Sequence, residues 1–149
     1  MPVGEICNRE VVIVQPHDTV LEAASLMRQH HVGNVLVVEG RGGVSVPVGI
    51  VTDRDLVIEI MAPQLDATAI TVGDLMTSEL STVKESSGIF ETIELMRTRG
   101  VRRMPVVNDS GALIGIVTLD DLLELLAEEL LSLAKLVPQE QKKESTSRR

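Results

Sequence analysis

Gly49-Ile50-Val51-Thr52-Asp53-Arg54-Asp55-Leu56 and Gly115-Ile116-Val117-Thr118-Leu119-Asp120-Asp121-Leu122 share one pattern: a β-branched apolar run ending in threonine, then Asp-Leu starting three residues later. Outward from these stretches the correspondence continues. Val37-Val38 faces Val106-Val107, Val32 faces Val101, and Leu26-Met27-Arg28 faces Leu95-Met96-Arg97. Val3-Gly4-Glu5-Ile6-Cys7-Asn8 faces Val72-Gly73-Asp74-Leu75-Met76-Thr77. The chain is one unit written twice. The register slips only at Gly40-Arg41-Gly42-Gly43, opposite Asp109-Ser110-Gly111, where turn residues tolerate insertion.

Each copy predicts the order β-α-β-β-α. A short extended segment, Val11 to Val14 or Ser81 to Val83, leads to a helix capped by Asp18 or Ser87, with Glu22 or Glu91 near its first turn. Val20, Ala24 and Met27, and likewise Ile89, Ile93 and Met96, recur at helical spacing and predict one buried stripe per helix. Val35 to Val38 with Val48 to Val51, and Met104 to Val107 with Leu113 to Val117, read as strand pairs. A second helix opens after Thr52 and after Thr118. The first of these stops near Met61, before Pro63, and the other runs through Leu136, before Pro138. One such unit has too little core to stand comfortably alone, so the two sheets are expected to bury one another with pseudo-twofold symmetry. The boundaries that follow are 1–66 for the first repeat with its N-terminal segment, 67–137 for the second with an extended helix, and 138–149 for a polar, disordered tail.

Composition narrows the function. The chain has 149 residues, 44% hydrophobic and 24% charged, with a net charge of −8. A chain of this length buries roughly 70% of its unfolded surface and needs no disulfide or metal staple. Its single cysteine, Cys7, forms no internal disulfide and reads as a small apolar anchor, and no Cys/His cluster has metal-ligand spacing. A start without a basic region, and the absence of an apolar run of about 18 residues, predict a cytoplasmic protein that neither is secreted nor crosses a membrane. Trp and Tyr are absent and Phe90 is the one Phe, so an acidic chain without stacking rings is not expected to bind nucleic acid. No nucleophile with a paired base and no Walker-type phosphate loop is present, so no enzymatic activity is expected.

Together with the repeated element order, three motifs carry a family resemblance. They are Val72-Gly73-Asp74-Leu75-Met76-Thr77, Gly100-Val101-Arg102-Arg103-Met104-Pro105-Val106-Val107, and Gly-Ile-Val-Thr-x-x-Asp-Leu in both copies. With them the chain, over about residues 3 to 130, resembles the paired cystathionine-β-synthase-type (CBS) domains, the Bateman module. The first copy departs at Gly33-Asn34-Val35-Leu36, which lacks the basic pair and the proline. The resemblance implies a regulatory module for adenosine-containing ligands: AMP, ADP, ATP, S-adenosylmethionine or NAD, bound in the cleft between the copies without a metal. It also implies a homodimer of four CBS repeats in a disc, and an unknown regulated protein as partner.

On that resemblance the site residues take roles. Asp55 and Asp121 are acceptor-only carboxylates suited to the two ribose hydroxyls, and Thr52 and Thr118 stand beside helix N-termini suited to phosphate. Thr-x-x-Asp is equally a capping box that needs no ligand, and the spacing leaves both readings open. Arg103, with Arg102 beside it, and Arg54 in the first copy have guanidinium forks suited to phosphate, or else are solvated surface cations. Ile50 and Ile116 are candidate aliphatic walls for adenine, with Val12 and Ser81 contributed crosswise. Against the sensor stands a homodimeric scaffold with vestigial pockets. Finally, Leu122, Leu123, Leu126, Leu130, Leu133 and Leu136 make a wide apolar face that predicts a contact with a second copy or a partner, and His30-His31 complements a helix C-terminus.

Overall fold

The computed structural model describes residues 1–76 and 79–147 and divides into two compact units, Met1–Val117 and Thr118–Arg149. Thr77, the repeat partner of Asn8, and Arg148 and Arg149 of the expected tail lie outside the described residues. Among the described residues no helix is long and apolar enough to cross a membrane.

The first unit carries two three-stranded sheets. β1 (Ile13–Val14), β2 (Asn34–Arg41) and β3 (Val44–Thr52) form one; β4 (Val83–Lys84), β5 (Arg103–Val107) and β6 (Leu113–Thr118) form the other. α1 (Val20–His30) and α4 (Ile89–Arg99) link the first strand of each sheet to the second, and the first two strands pair in parallel. The α/β class and the duplicated β-α-β-β-α order both hold. β2 and β3 are antiparallel, from Asn34 opposite Thr52 to Arg41 opposite Val44. Gly42 and Gly43 join them at φ 57° and 82°, the left-handed pair that a two-residue hairpin turn demands. In the second repeat the Asn108 side chain holds the longer turn by accepting from the amides of Ser110 and Ala112.

The caps fall one residue later than expected. Thr19, not Asp18, caps α1: its hydroxyl accepts the Glu22 amide while the Glu22 carboxylate accepts the Thr19 amide. Only Thr19 has the three-residue spacing to Glu22 that a capping box needs. Asp18 instead closes the preceding turn by accepting from the Gln15 amide. Gly88, not Ser87, caps α4, with Thr92 donating its buried hydroxyl to the Gly88 carbonyl. At the other end of α1, His31 takes the left-handed C-cap position (φ 55°) that Gly100 occupies after α4.

The lead-in segments are exchanged between the repeats. The 3-10 turn Val3–Glu5, which the sequence assigns to the first repeat, is bonded to the second. Val3 and Gly4 donate to the carbonyls of Ser87 and Glu85, and Asn8 and Ile116 exchange reciprocal backbone bonds of 2.9 Å each. Conversely, α3 (Val72–Leu75) leans on the first repeat. Val72 and Gly73 donate to Asp18 and Pro16, and the buried Val72 joins Val14, Val20, Ala23, Met27, Val35, Val37, Val51 and Ile60 in one core. After β3 the chain enters α2 (Asp53–Leu56), then a π-helical turn, Val57–Met61.

The second unit is helical. α5 (Leu119–Ala134) ends at Lys135, one residue before the expected Leu136, and α6 (Leu136–Ser147) follows. The composition of 138–149 predicts disorder, yet its residues as far as Ser147 are helical and exposed. Pro138 is tolerated because it sits in the first turn, where its missing N–H has no intrahelical acceptor, and the Gln, Glu and Lys that follow are good helix formers.

Candidate functional site

Pleating sorts the first sheet into two faces. Val14, Val35, Val37 and Val51 point into the core, so Asn34, Leu36, Ile50 and Thr52, paired as Asn34 with Thr52 and Leu36 with Ile50, share the opposite face. Ile13 pairs with Leu36 and belongs to that second face as well. Val12 does not: its side chain packs against the core, and its carbonyl accepts the Leu36 amide. The sequence offers Val12 as a wall contributed crosswise; alternation counted back from the core residue Val14 puts Ile13, rather than Val12, on the face of Ile50 and Thr52.

Thr52 closes β3 and caps α2. Its hydroxyl accepts the Asp55 amide at 3.1 Å, and Asp55 Oδ2 accepts the Thr52 amide at 2.8 Å. Asp55 Oδ1 carries no hydrogen bond among the described residues and remains available as an acceptor. Both residues are half-buried. Asp53 donates its amide to the Gly33 carbonyl, and its carboxylate lies 3.2 Å from where a Gly33 Cβ would stand. The position corresponding to Arg102 in the second repeat is thereby crowded by an acid. Arg54 is exposed at the same turn.

In the second unit Thr118 and Asp121 repeat the arrangement, with hydrogen bonds of 3.3 Å to Oδ2 and 3.1 Å to the hydroxyl. The box alone does not mark a site, since Thr19 with Glu22 and Thr71 with Asp74 form two more. Those two are exposed, whereas the Thr52 and Thr118 boxes are partly buried at strand ends. Elsewhere in the first unit, Arg103 is half-buried at the start of β5, Arg102 is exposed just before it, and Ile116 is buried and bridged to Asn8. Ser81 lines an open cleft of about 720 Å³ with Leu80, Leu95, Thr98, Arg99 and Val101. Thus the structure brings Ile50, Thr52 and Asp55 to one end of one sheet, and sets Val12 on that sheet's other face.

The sequence pattern of the CBS domain matches residues 3–62 and again 72–128. A protein of Methanopyrus kandleri is 38% identical over 83% of this chain, which spans 61% of that protein's length. The CBS domain-containing protein YhcV of Bacillus subtilis is 37% identical over 80% of this chain and 81% of its own. Among solved structures, a CBS domain protein from Pyrobaculum aerophilum complexed with AMP superposes with a TM-score of 0.71 at 25% identity, covering 81% of this chain and 89% of that one. With two matches that take in most of its length, this chain belongs to the CBS domain family, as a tandem pair.

Proposed function

We propose that the protein is a regulatory module that binds an adenosine-containing ligand and has no catalytic role of its own. The observation that carries this is the half-occupied carboxylate of Asp55: one oxygen closes the cap and the other is free to accept a ribose hydroxyl. Ile50 and Ile13 offer aliphatic surface on the adjoining face for the base. The AMP complex of the Pyrobaculum relative supports the ligand class. Asp121 repeats the carboxylate in the second unit, and the guanidinium groups of Arg54, Arg102 and Arg103 are of the kind that binds phosphate. No metal is required. A ligand can regulate only by preferring one packing over another, so signalling consists of a population shift.

The self-association implied is a homodimer. Exposed Leu21 of α1 and Phe90 of α4 hold the same repeat position, and beside α1 an apolar groove of about 300 Å³ runs past Val57, Met61 and Leu65. The scaffold reading keeps one specific support, the Gly33-Asn34 pair where the second repeat has Arg102-Arg103.

Dye-based thermal melts with AMP, ADP, ATP, S-adenosylmethionine and NAD, with GTP as control, test the proposal. A rise of several degrees with adenosine ligands and none with GTP is expected, and a flat response to all of them would leave the scaffold. Arg54→Gln is expected to weaken AMP by about threefold to tenfold, the scale of one exposed charge-assisted bond, and to leave adenosine unchanged in equilibrium dialysis.

A further inference from the structure

Gly33 and Asp53 give the first repeat a corner that the second does not have. Gly33 and Asn34 stand where the second repeat has Arg102 and Arg103, and Asp53 and Arg54 stand where it has Leu119 and Asp120. With the shared aspartate, these positions hold two acids and one base in the first repeat, against two of each in the second. Placement matters more than the count. Asn34 pairs with Thr52 on the face of Ile50, so a neutral amide occupies the ligand face at a position where the second repeat carries a guanidinium. Asp53 is pinned beside it. Its amide donates to the Gly33 carbonyl at 2.9 Å, its Oδ1 accepts the Arg54 amide at 2.8 Å, and its Oδ2 lies 3.2 Å from where a Gly33 Cβ would stand. Gly33 is not one of the glycines with positive φ, so its backbone does not demand glycine. A carboxylate takes the space instead.

We propose that Asp53 makes the first-repeat site selective against 5′-phosphates, so that it takes an adenosine derivative with an uncharged or cationic 5′ substituent, a 5′-thioether or 5′-sulfonium, in preference to AMP. The proposal rests on the adenosine reading of Thr52 and Asp55 and deepens it. A phosphate dianion at this strand end meets the carboxylates of Asp53 and Asp55, and the exposed Arg54 offsets only one of them. A neutral 5′ group escapes that repulsion and a sulfonium is attracted. Discrimination of this kind comes from a repulsive element set against the wrong ligand.

The test is calorimetric titration of the full chain carrying Asp121→Asn, so that the carboxylate of the second unit does not contribute, with AMP, 5′-methylthioadenosine and S-adenosylmethionine. The two sulfur compounds are expected to bind more tightly than AMP by about threefold or more, a gap that narrows as salt is raised because its origin is Coulombic. Asp53→Asn keeps an acceptor for the Arg54 amide and loses the charge. It should tighten AMP by about threefold to tenfold and leave 5′-methylthioadenosine within about twofold, the scale of one charge acting on a dianion in a wet cleft. Gly33→Arg combined with Asp53→Leu copies the second repeat and should reverse the preference. An Asp53 that only holds the turn would shift all three ligands together. If no adenosine compound binds, or if binding is indifferent to Asp55→Asn, the site fails and the proposal with it. If binding depends on Asp55 but AMP is the tightest ligand, or Asp53→Asn leaves the ratio of AMP to 5′-methylthioadenosine unchanged, the selectivity fails while the site stands. Melting curves of the variants show that each is folded.

Discussion

Gly115→Ala is expected to destabilise the fold by about 3 kcal/mol, at or above the usual range for overpacking, and Gly49→Ala by less. The two glycines hold the same repeat position but meet different neighbours. A Cβ on Gly115 would stand 2.5 Å from the Asn8 carbonyl oxygen and 3.0 Å from Cys7 Sγ. Asn8 cannot retreat without breaking its two reciprocal bonds to Ile116. On Gly49 a Cβ would meet Met76 instead, Sδ at 2.6 Å and Cβ at 2.9 Å; the thioether can rotate aside, and the Met76 Cβ, fixed to its backbone, has only a few tenths of an ångström to give. Urea unfolding of the two variants checks the order. A neutral Gly115→Ala would mean that the N-terminal segment is not seated on the second repeat.

That exchange of lead-ins is what one-dimensional reading could not reach. The duplication, the strand pairs and the hairpin turns were legible because they are local: β-branched runs with period 2, glycines where φ turns positive, and stripes at helical spacing. Cys7 and Met76 were legible as equivalents, and their apolar character as anchors. Which repeat each one anchors is a long-range choice, and the pattern is identical for either answer. The only trace in sequence is the pair Gly49 and Gly115, two missing side chains in otherwise bulky strands, which mark close approach without saying of what.

The candidate site was legible to a similar depth. The spacing of Thr52 and Asp55 leaves cap and ribose contact both open and the family resemblance alone favours the second; the structure shows that spacing serving a cap while leaving one carboxylate oxygen open. Which of Val12 and Ile13 shares a face with Ile50 depends on which face the core takes, and the apolar run from Val11 to Val14 does not say. α6 was missed for a different reason: polar helix formers with few apolar residues read as disorder unless helix propensity is weighed separately from burial.

Asp55→Asn and Asp121→Asn divide the cap from the ligand contact, and the second of the two large effects is expected here. In wild type, a ligand at about 100 times its dissociation constant adds roughly 2.7 kcal/mol of stability, worth several degrees in a chain of this size. Asparagine keeps one carbonyl oxygen, enough to accept the Thr52 or Thr118 amide, so the unliganded melting temperature should move little. What it loses is the second acceptor and the charge, and the nitrogen in its place can only donate. The ligand-induced rise should therefore shrink by most of its value in whichever repeat is loaded, since a charge-assisted hydrogen bond contributes about 1.5–3 kcal/mol. Loss in Asp55→Asn alone would place the ligand at the first repeat, the one without the Arg102-Arg103 pair, and would favour a ligand held by its ribose more than by phosphate. Loss in Asp121→Asn alone would place the ligand at the carboxylate of the second unit. An undiminished rise in both variants would show that the carboxylates only cap their helices and that the adenosine ligand is held elsewhere.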